Sequence, residues 1–157
     1  MKPKVVTKLF SGLTRSELMS RIRSRGNKKT ELVLVDLLRK HKLTGWRRHQ
    51  PLPGTPDFVF RKERLAIFVD GCFWHGCSIH SSLPAKNRAF WKRKLDTNKT
   101  RDRKVTRTLR SQGWSVMRIW EHDLRREQYC VKRILRALSR AVVQFSKNTD
   151  TIWRCSS

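Results

Sequence analysis

Acidic residues are scarce in this sequence. Its 157 residues hold 12 Asp and Glu against 37 Lys and Arg, a formal charge of +25. Such a surplus resists compaction unless a polyanion offsets it, and nucleic acid is the partner class that fits. It speaks against small-molecule metabolism. Long apolar runs are also absent: the longest is the five residues 65–69, so no segment reads as a membrane-spanning helix, which needs about 20 apolar residues. Lys8 interrupts the basic N-terminus before any apolar stretch develops, so no secretory signal is expected. Cysteine is limited to positions 72, 77, 130 and 155. Without a secretory signal these four do not read as a disulfide framework.

The sequence does have core-forming material: 38% hydrophobic residues and six Trp exclude a disordered basic tail. The length suits one domain. A basic arm is expected at 1–15, one domain at 16–145 and a short tail at 146–157. Helices are predicted at 16–23, 28–43 (capped by Asn27, with Leu34, Leu37, Leu38 and His41 on one face), 86–111 and 126–145 (with Val131, Ile134, Leu135, Leu138 and Val142 at helical spacing). Strands are predicted at 46–50, 57–60, 65–70 and 114–120. The strands at 57–60 and 65–70 are apolar on both faces, which predicts a sheet covered by helices on each side, an α/β domain.

Two of the few acids converge. If Phe60 pairs with Leu65 across the charged turn 61–64, Asp57 lies opposite Phe68 and shares a face with Asp70, about 7 Å away on the diagonal. Two carboxylates at that separation can hold one hard divalent cation, the arrangement that phosphodiester hydrolysis wants. Read singly, each Asp is an ordinary turn residue, and a one-residue slip would send the pair to opposite faces.

Cys72, Cys77 and His80 supply three corners of a tetrahedral zinc site, with His75 or His122 as the fourth. If His122 closes the site, His75 is free to act as a general base. Cys130 reads as a small buried hydrophobe. Between Gly71 and Leu95 there is no acid but there are four aromatics, Phe73, Trp74, Phe90 and Trp91. Rings beside a phosphate-binding surface can wedge between bases. For Phe90, core packing is the expectation; Trp114 and Trp120 read as structural.

These residues carry a family resemblance. Pro51-Leu52-Pro53-Gly54-Thr55-Pro56-Asp57-Phe58, Ile67-Phe68-Val69-Asp70-Gly71-Cys72-Phe73-Trp74-His75-Gly76-Cys77, Phe90-Trp91 with Asn98 and Arg101-Asp102, and Gly113-Trp114 through Trp120-Glu121 resemble the very short patch repair (Vsr) DNA mismatch endonucleases. The likeness spans about residues 18–124. It implies a restriction-endonuclease-like core of the PD-(D/E)XK type, with a central mixed sheet flanked by helices and a structural zinc site. The implied reaction is Mg²⁺-dependent nicking of double-stranded DNA on the 5′ side of the mispaired T at a T:G mismatch, the lesion left by deamination of 5-methylcytosine.

Carried over residue by residue, the resemblance makes Asp57 the metal-binding aspartate, Val69 the source of a carbonyl ligand to Mg²⁺, His75 the catalytic histidine and Glu31 a glutamate near the metal waters. Phe73, Trp74 and Trp91 match the intercalating rings, and Cys72, Cys77, His80 and His122 match the zinc ligands. Asp70 stands where the best-known member has a second active-site histidine, and is expected here to be a second metal carboxylate. The resemblance also implies a functional link to a DNA cytosine methyltransferase and to mismatch-repair proteins, and a place in the bacterial cytoplasm or nucleoid. A monomer is expected, because nicking cuts one strand. Two alternatives stand beside this reading: a restriction or recombination nuclease of the same fold without mismatch preference, and a zinc-stabilised nucleic-acid-binding protein without catalysis.

Overall fold

The computed structural model describes residues 30–80, 82–84 and 87–154, with side chains through residue 140. The expected arm at 1–15, the helix at 16–23, the Asn27 cap and Cys155 lie outside the described residues. Helix α1 (Glu31–Lys40) is followed by strands β1 (Trp46–Arg48), β2 (Phe58–Phe60) and β3 (Leu65–Asp70), helix α2 (Arg88–Ser111), strand β4 (Ser115–Trp120), a 3-10 turn (Glu121–Arg125) and helix α3 (Glu127–Arg154). The predicted order of elements is the observed one.

Several boundaries move, for local reasons. Helix α1 stops at Lys40 because Lys42 takes a left-handed φ of 53° and the Leu43 N–H turns back to the Leu38 carbonyl. Strand β1 ends at Arg48 because His49 is also left-handed, at φ 48°. Gly113, at φ 78°, turns the chain from α2 into β4, as its position in the sequence indicated. Helix α3 runs to Arg154, nine residues past its predicted end at Phe145 and through most of the expected tail.

The four strands form one mixed sheet in the order β1-β2-β3-β4. Strands β1, β2 and β3 pair antiparallel, and β4 joins β3 in parallel after the α2 crossover. Phe60 pairs with Leu65 and Phe58 with Ile67, the register on which the carboxylate argument rested. One face of the sheet packs Phe58, Phe60, Leu65, Ile67 and Ile119 against Leu34 and Leu38 of α1 and Cys130, Val131 and Ile134 of α3. The other packs Ala66 and Phe68 against Leu109 and Val105 of α2. Helices therefore cover both faces, as the two-sided apolar strands required.

The loop between β1 and β2 lies against α2 through Gly54. A Cβ there would come within 2.4 Å of Val105 Cγ1, and the backbone φ is +74°, so only glycine permits this approach. Two expectations about the core fail. Leu135 is 46% exposed and Phe90 is 52% exposed. The buried residues of α2 are Trp91, Leu95, Asn98 and Leu109, and Phe90, one position from Trp91, is rotated out of that stripe. On α1, His41 is exposed and joins Lys40 in holding Glu127 of α3, at 2.7 and 2.9 Å.

Leu38, fully buried between the sheet and α3, should lose about 2–5 kcal/mol of stability on replacement by Ala, measured by urea unfolding. Leu135→Ala, on the exposed side of α3, should change it by no more than about 0.5 kcal/mol.

Candidate active site

The register of β2 and β3 places Asp57 opposite Phe68, and residues two apart on a strand share a face. In the parallel ladder Arg118 of β4 also pairs with Phe68. Asp57, Phe68, Asp70 and Arg118 therefore point to the same side of the sheet, the side that α2 covers. Between that face and α2 lies a cavity of about 610 Å³. Glu31, Asp57, Asp70, His75, Asp102 and Arg118 line it, together with Lys94 and Arg101 of α2. Four of the chain's 12 acids thus meet in one cavity.

Their partners differ. The Asp57 carboxylate accepts the Val69 N–H at 2.7 Å and has no salt-bridge partner among the described residues. Burial pushes its pKa up, opposed by the Val69 hydrogen bond and assisted by the nearby charge of Glu31. Glu31 is 2% exposed and is held by the Arg48 guanidinium and by His49 Nε2 at 2.6 Å. Asp102 Oδ2 accepts the Nδ1–H of His75 at 2.6 Å. That bond fixes the ring and leaves Nε2 to act on a substrate.

Asp70 has a partner that residue order did not indicate. Its side chain reaches the cavity, as the hairpin argument required, but both of its oxygens accept from Arg118: Oδ2 from Nε at 2.6 Å and Oδ1 from Nη2 at 2.7 Å. The carboxylate expected to be a second metal ligand is thus also the partner of a two-pronged guanidinium. The cause is the β3–β4 register, which sets Arg118 beside Phe68 with its guanidinium over that ring, within reach of Asp70 two residues on. Burial works against the Arg118 charge, but the hydrogen bonds and charges of Asp70 and Asp102 outweigh it and raise its pKa.

The residues after β3 form a second centre. Cys72, Cys77, His80 and His122 place one donor atom each within 4.8 Å of the others. Cys72 Sγ lies 3.2 Å and Cys77 Sγ 3.8 Å from His122 Nδ1, and Cys77 Sγ lies 3.8 Å from His80 Nδ1. Donors about 3.5 Å apart match the edges of a tetrahedron around an ion at zinc-ligand bond lengths, so the set fits such an ion. The open choice of fourth member resolves to His122, and His75 belongs to the cavity. Burial pushes the Cys72 thiol up, the usual state of such a ligand when no cation is present. Cys130 is 1% exposed, its thiol pushed up to about 11, an inert core residue as expected.

Asn98 of α2 donates to the Trp74 carbonyl at 2.9 Å, so the loop that carries His75 is tied to the helix that carries Asp102. The four aromatics pack edge-on in a chain, Phe90–Trp91 at 5.4 Å, Trp91–Phe73 at 5.2 Å and Phe73–Trp74 at 5.3 Å. Their exposure differs from ring to ring. Phe73 and Trp91 are buried, Trp74 is half-buried and Phe90 is open.

Reading the sequence missed Asp102 and Arg118 as parts of the site. A signal for Asp102 was present: it stands four residues after Asn98 and seven after Leu95, on the inward stripe of α2. The signal for Arg118 was a charge alternating with Val116 in a strand, and it meant nothing until β4 was known to lie beside β3.

The family description "DNA mismatch endonuclease Vsr" matches residues 7–81. The chain is 38% identical over 124 residues to the type II nicking enzyme V.XorIIP of Xanthomonas oryzae pv. oryzae, covering 76% of this chain and 88% of that one. It is 39% identical over 114 residues to the DNA mismatch endonuclease Vsr of Escherichia coli K12, covering 71% and 72%. With the type II nicking enzyme V.NaeI of Lentzea aerocolonigenes it shares 47% identity over 68 residues, 43% of this chain and 41% of that one. The catalytic domain of the homing endonuclease I-Bth0305I superposes with a TM-score of 0.44 at 21% identity, over 71% of this chain and 95% of that domain. The identity to the Xanthomonas and Escherichia coli relatives over more than two thirds of the chain, together with the family match, shows that the chain belongs to the Vsr family of DNA endonucleases.

Proposed function

We propose that this protein nicks double-stranded DNA on the 5′ side of the mispaired T at T:G mismatches, by Mg²⁺-dependent hydrolysis of one phosphodiester. The observation that carries the hydrolytic reading is the His75–Asp102 pair facing Asp57 across one cavity. Mismatch preference is supported by the family description and by the name of the Escherichia coli relative.

The donor chemistry fits a hard cation: Asp57 is the cavity carboxylate without a cationic partner, and the Val69 carbonyl is the companion ligand. Bound there, Mg²⁺ would polarise the scissile phosphate and stabilise the charge of the transition state. His75 Nε2 takes the proton of the attacking water. Asp102 holds the ring through Nδ1 and stabilises the imidazolium that results, so a neutral histidine can act as base and then release its proton. Glu31, pinned by Arg48 and His49, orders water in the cavity.

Helix α2 carries ten Lys and Arg against Asp96 and Asp102, and two of its exposed basic residues, Lys94 and Arg101, line the cavity. It is the surface for the phosphate backbone. Trp74 is the ring placed to enter the base stack, with Phe73 and Trp91 packed behind it. The Cys/His centre holds structural Zn²⁺, which fixes the loop that presents Trp74 and His75.

Single-turnover nicking of a T:G duplex should exceed that of the matched duplex and require Mg²⁺. Asp57→Ala should abolish it while duplex binding persists; cutting by that variant at the wild-type rate would refute the assignment. A wild type that cuts both duplexes equally would favour the restriction-type alternative. In metal-free protein Asp57→Asn should raise the melting temperature, because it removes a partly buried charge without a cationic partner while retaining an acceptor for the Val69 N–H. Elemental analysis should find about one zinc per chain, and Cys77→Ser should lose the metal and much of the fold's thermal stability.

A further inference from the structure

Four carboxylates line one cavity, and three of them have cationic partners among the described residues. Glu31 has Arg48 and His49; Asp70 has Arg118, with His75 Nδ1 3.6 Å from its Oδ1; Asp102 has Arg118 and His75. Arg118 bridges two carboxylates from different elements, β3 and α2, and lies nearer to Asp70 than His75 does. Its Nη2 lies 2.7 Å from Asp70 Oδ1 and 3.1 Å from Asp102 Oδ1.

The two oxygens of Asp102 are thereby divided. Oδ2 takes His75 Nδ1–H and Oδ1 faces Arg118, so the carboxylate is held at both ends and its plane is set. The guanidinium is itself restrained by the Phe68 ring, 4.9 Å from its carbon, and by the strand that bears it. Its third nitrogen, Nη1, is buried without a hydrogen-bond partner. Its orientation is thus dictated by the two carboxylates and not by a general search for acceptors.

We propose that Arg118 is the positioning residue of this active site: it aligns Asp102 against His75 and occupies Asp70, which leaves Asp57 the carboxylate open to a cation. The role rests on the nuclease reading of the cavity but not on mismatch preference.

The test compares wild type with Arg118→Met, Arg118→Lys, Asp70→Asn and the double variant Asp70→Asn/Arg118→Met in the full-length chain. Four quantities are measured: single-turnover nicking at saturating protein and Mg²⁺, duplex affinity with Ca²⁺ in place of Mg²⁺, thermal unfolding, and the low-field Nδ1–H proton resonance of His75 without metal. Arg118→Met should slow nicking by about 10–100-fold, as loss of an orienting partner typically does, and should lose the His75 resonance with duplex affinity retained. Arg118→Lys should recover part of the rate. Asp70→Asn should keep the His75 resonance and leave the Mg²⁺ requirement unchanged. If stranding the Asp70 charge unfolds Arg118→Met, the double variant removes that charge and should still show the slow rate and the missing resonance.

A folded Arg118→Met or double variant that nicks at the wild-type rate would overturn the proposal. So would a loss confined to duplex affinity, which would make Arg118 a DNA ligand, or a raised Mg²⁺ requirement in Asp70→Asn, which would make Asp70 a metal ligand. Equal wild-type rates on T:G and matched duplex would refute mismatch preference alone and leave the comparison intact. If wild type cuts no duplex, the nuclease reading fails, and persistence of the His75 resonance in the folded Arg118→Met or double variant then overturns the positioning role by itself.

Discussion

Strand β3 is hydrogen-bonded along both edges and covered on both faces, and each part of the site hangs from its final residues. The Val69 N–H holds Asp57 of the neighbouring hairpin arm, the Asp70 side chain meets Arg118 from the opposite edge, and the next residues run directly into Cys72 and His75. A strand in that position has little freedom to shift, since a slip of one residue would exchange its buried faces. The site is therefore carried on the most constrained element of the fold, which suits chemistry that tolerates little misplacement.

The charge distribution follows from the same placement. A chain of +25 places four of its few acids within one cavity and ten basic residues along the helix that roofs it. The acids are thus gathered inside the cavity while the basic residues spread along its outer wall. Arg48, His49, Arg118 and His75 partner three of the four acids, and Asp57 stands out by having no salt-bridge partner among the described residues.

The Cys/His centre and the aromatic chain do related mechanical work. His122, from the 3-10 turn, meets Cys72 and Cys77, while Glu121 accepts the Cys72 N–H at 3.3 Å, so the loop after β3 is tied to the chain after β4. On the other side Asn98 and Trp91 tie it to α2. Trp74 stands half-buried at the outer end of this bracing, with two buried rings behind it.

Much of this could be read from residue order. Alternation and apolar runs determined the strands, the covered sheet and the β2–β3 register, because side-chain period and turn length depend on neighbours in sequence. The cluster Cys72, Cys77 and His80 and the convergence of Asp57 and Asp70 follow from the same short-range rules. What the tertiary structure decided were contacts between elements distant in sequence: His122 rather than His75 at the Cys/His centre, Asp102 behind His75, and Arg118 on Asp70. Spacing within an element is set by backbone geometry, which sequence encodes directly. Which side chain meets which across β3, β4 and α2 depends on how the crossover packs, and there Arg118 meets a carboxylate that residue order had already set on the cavity face.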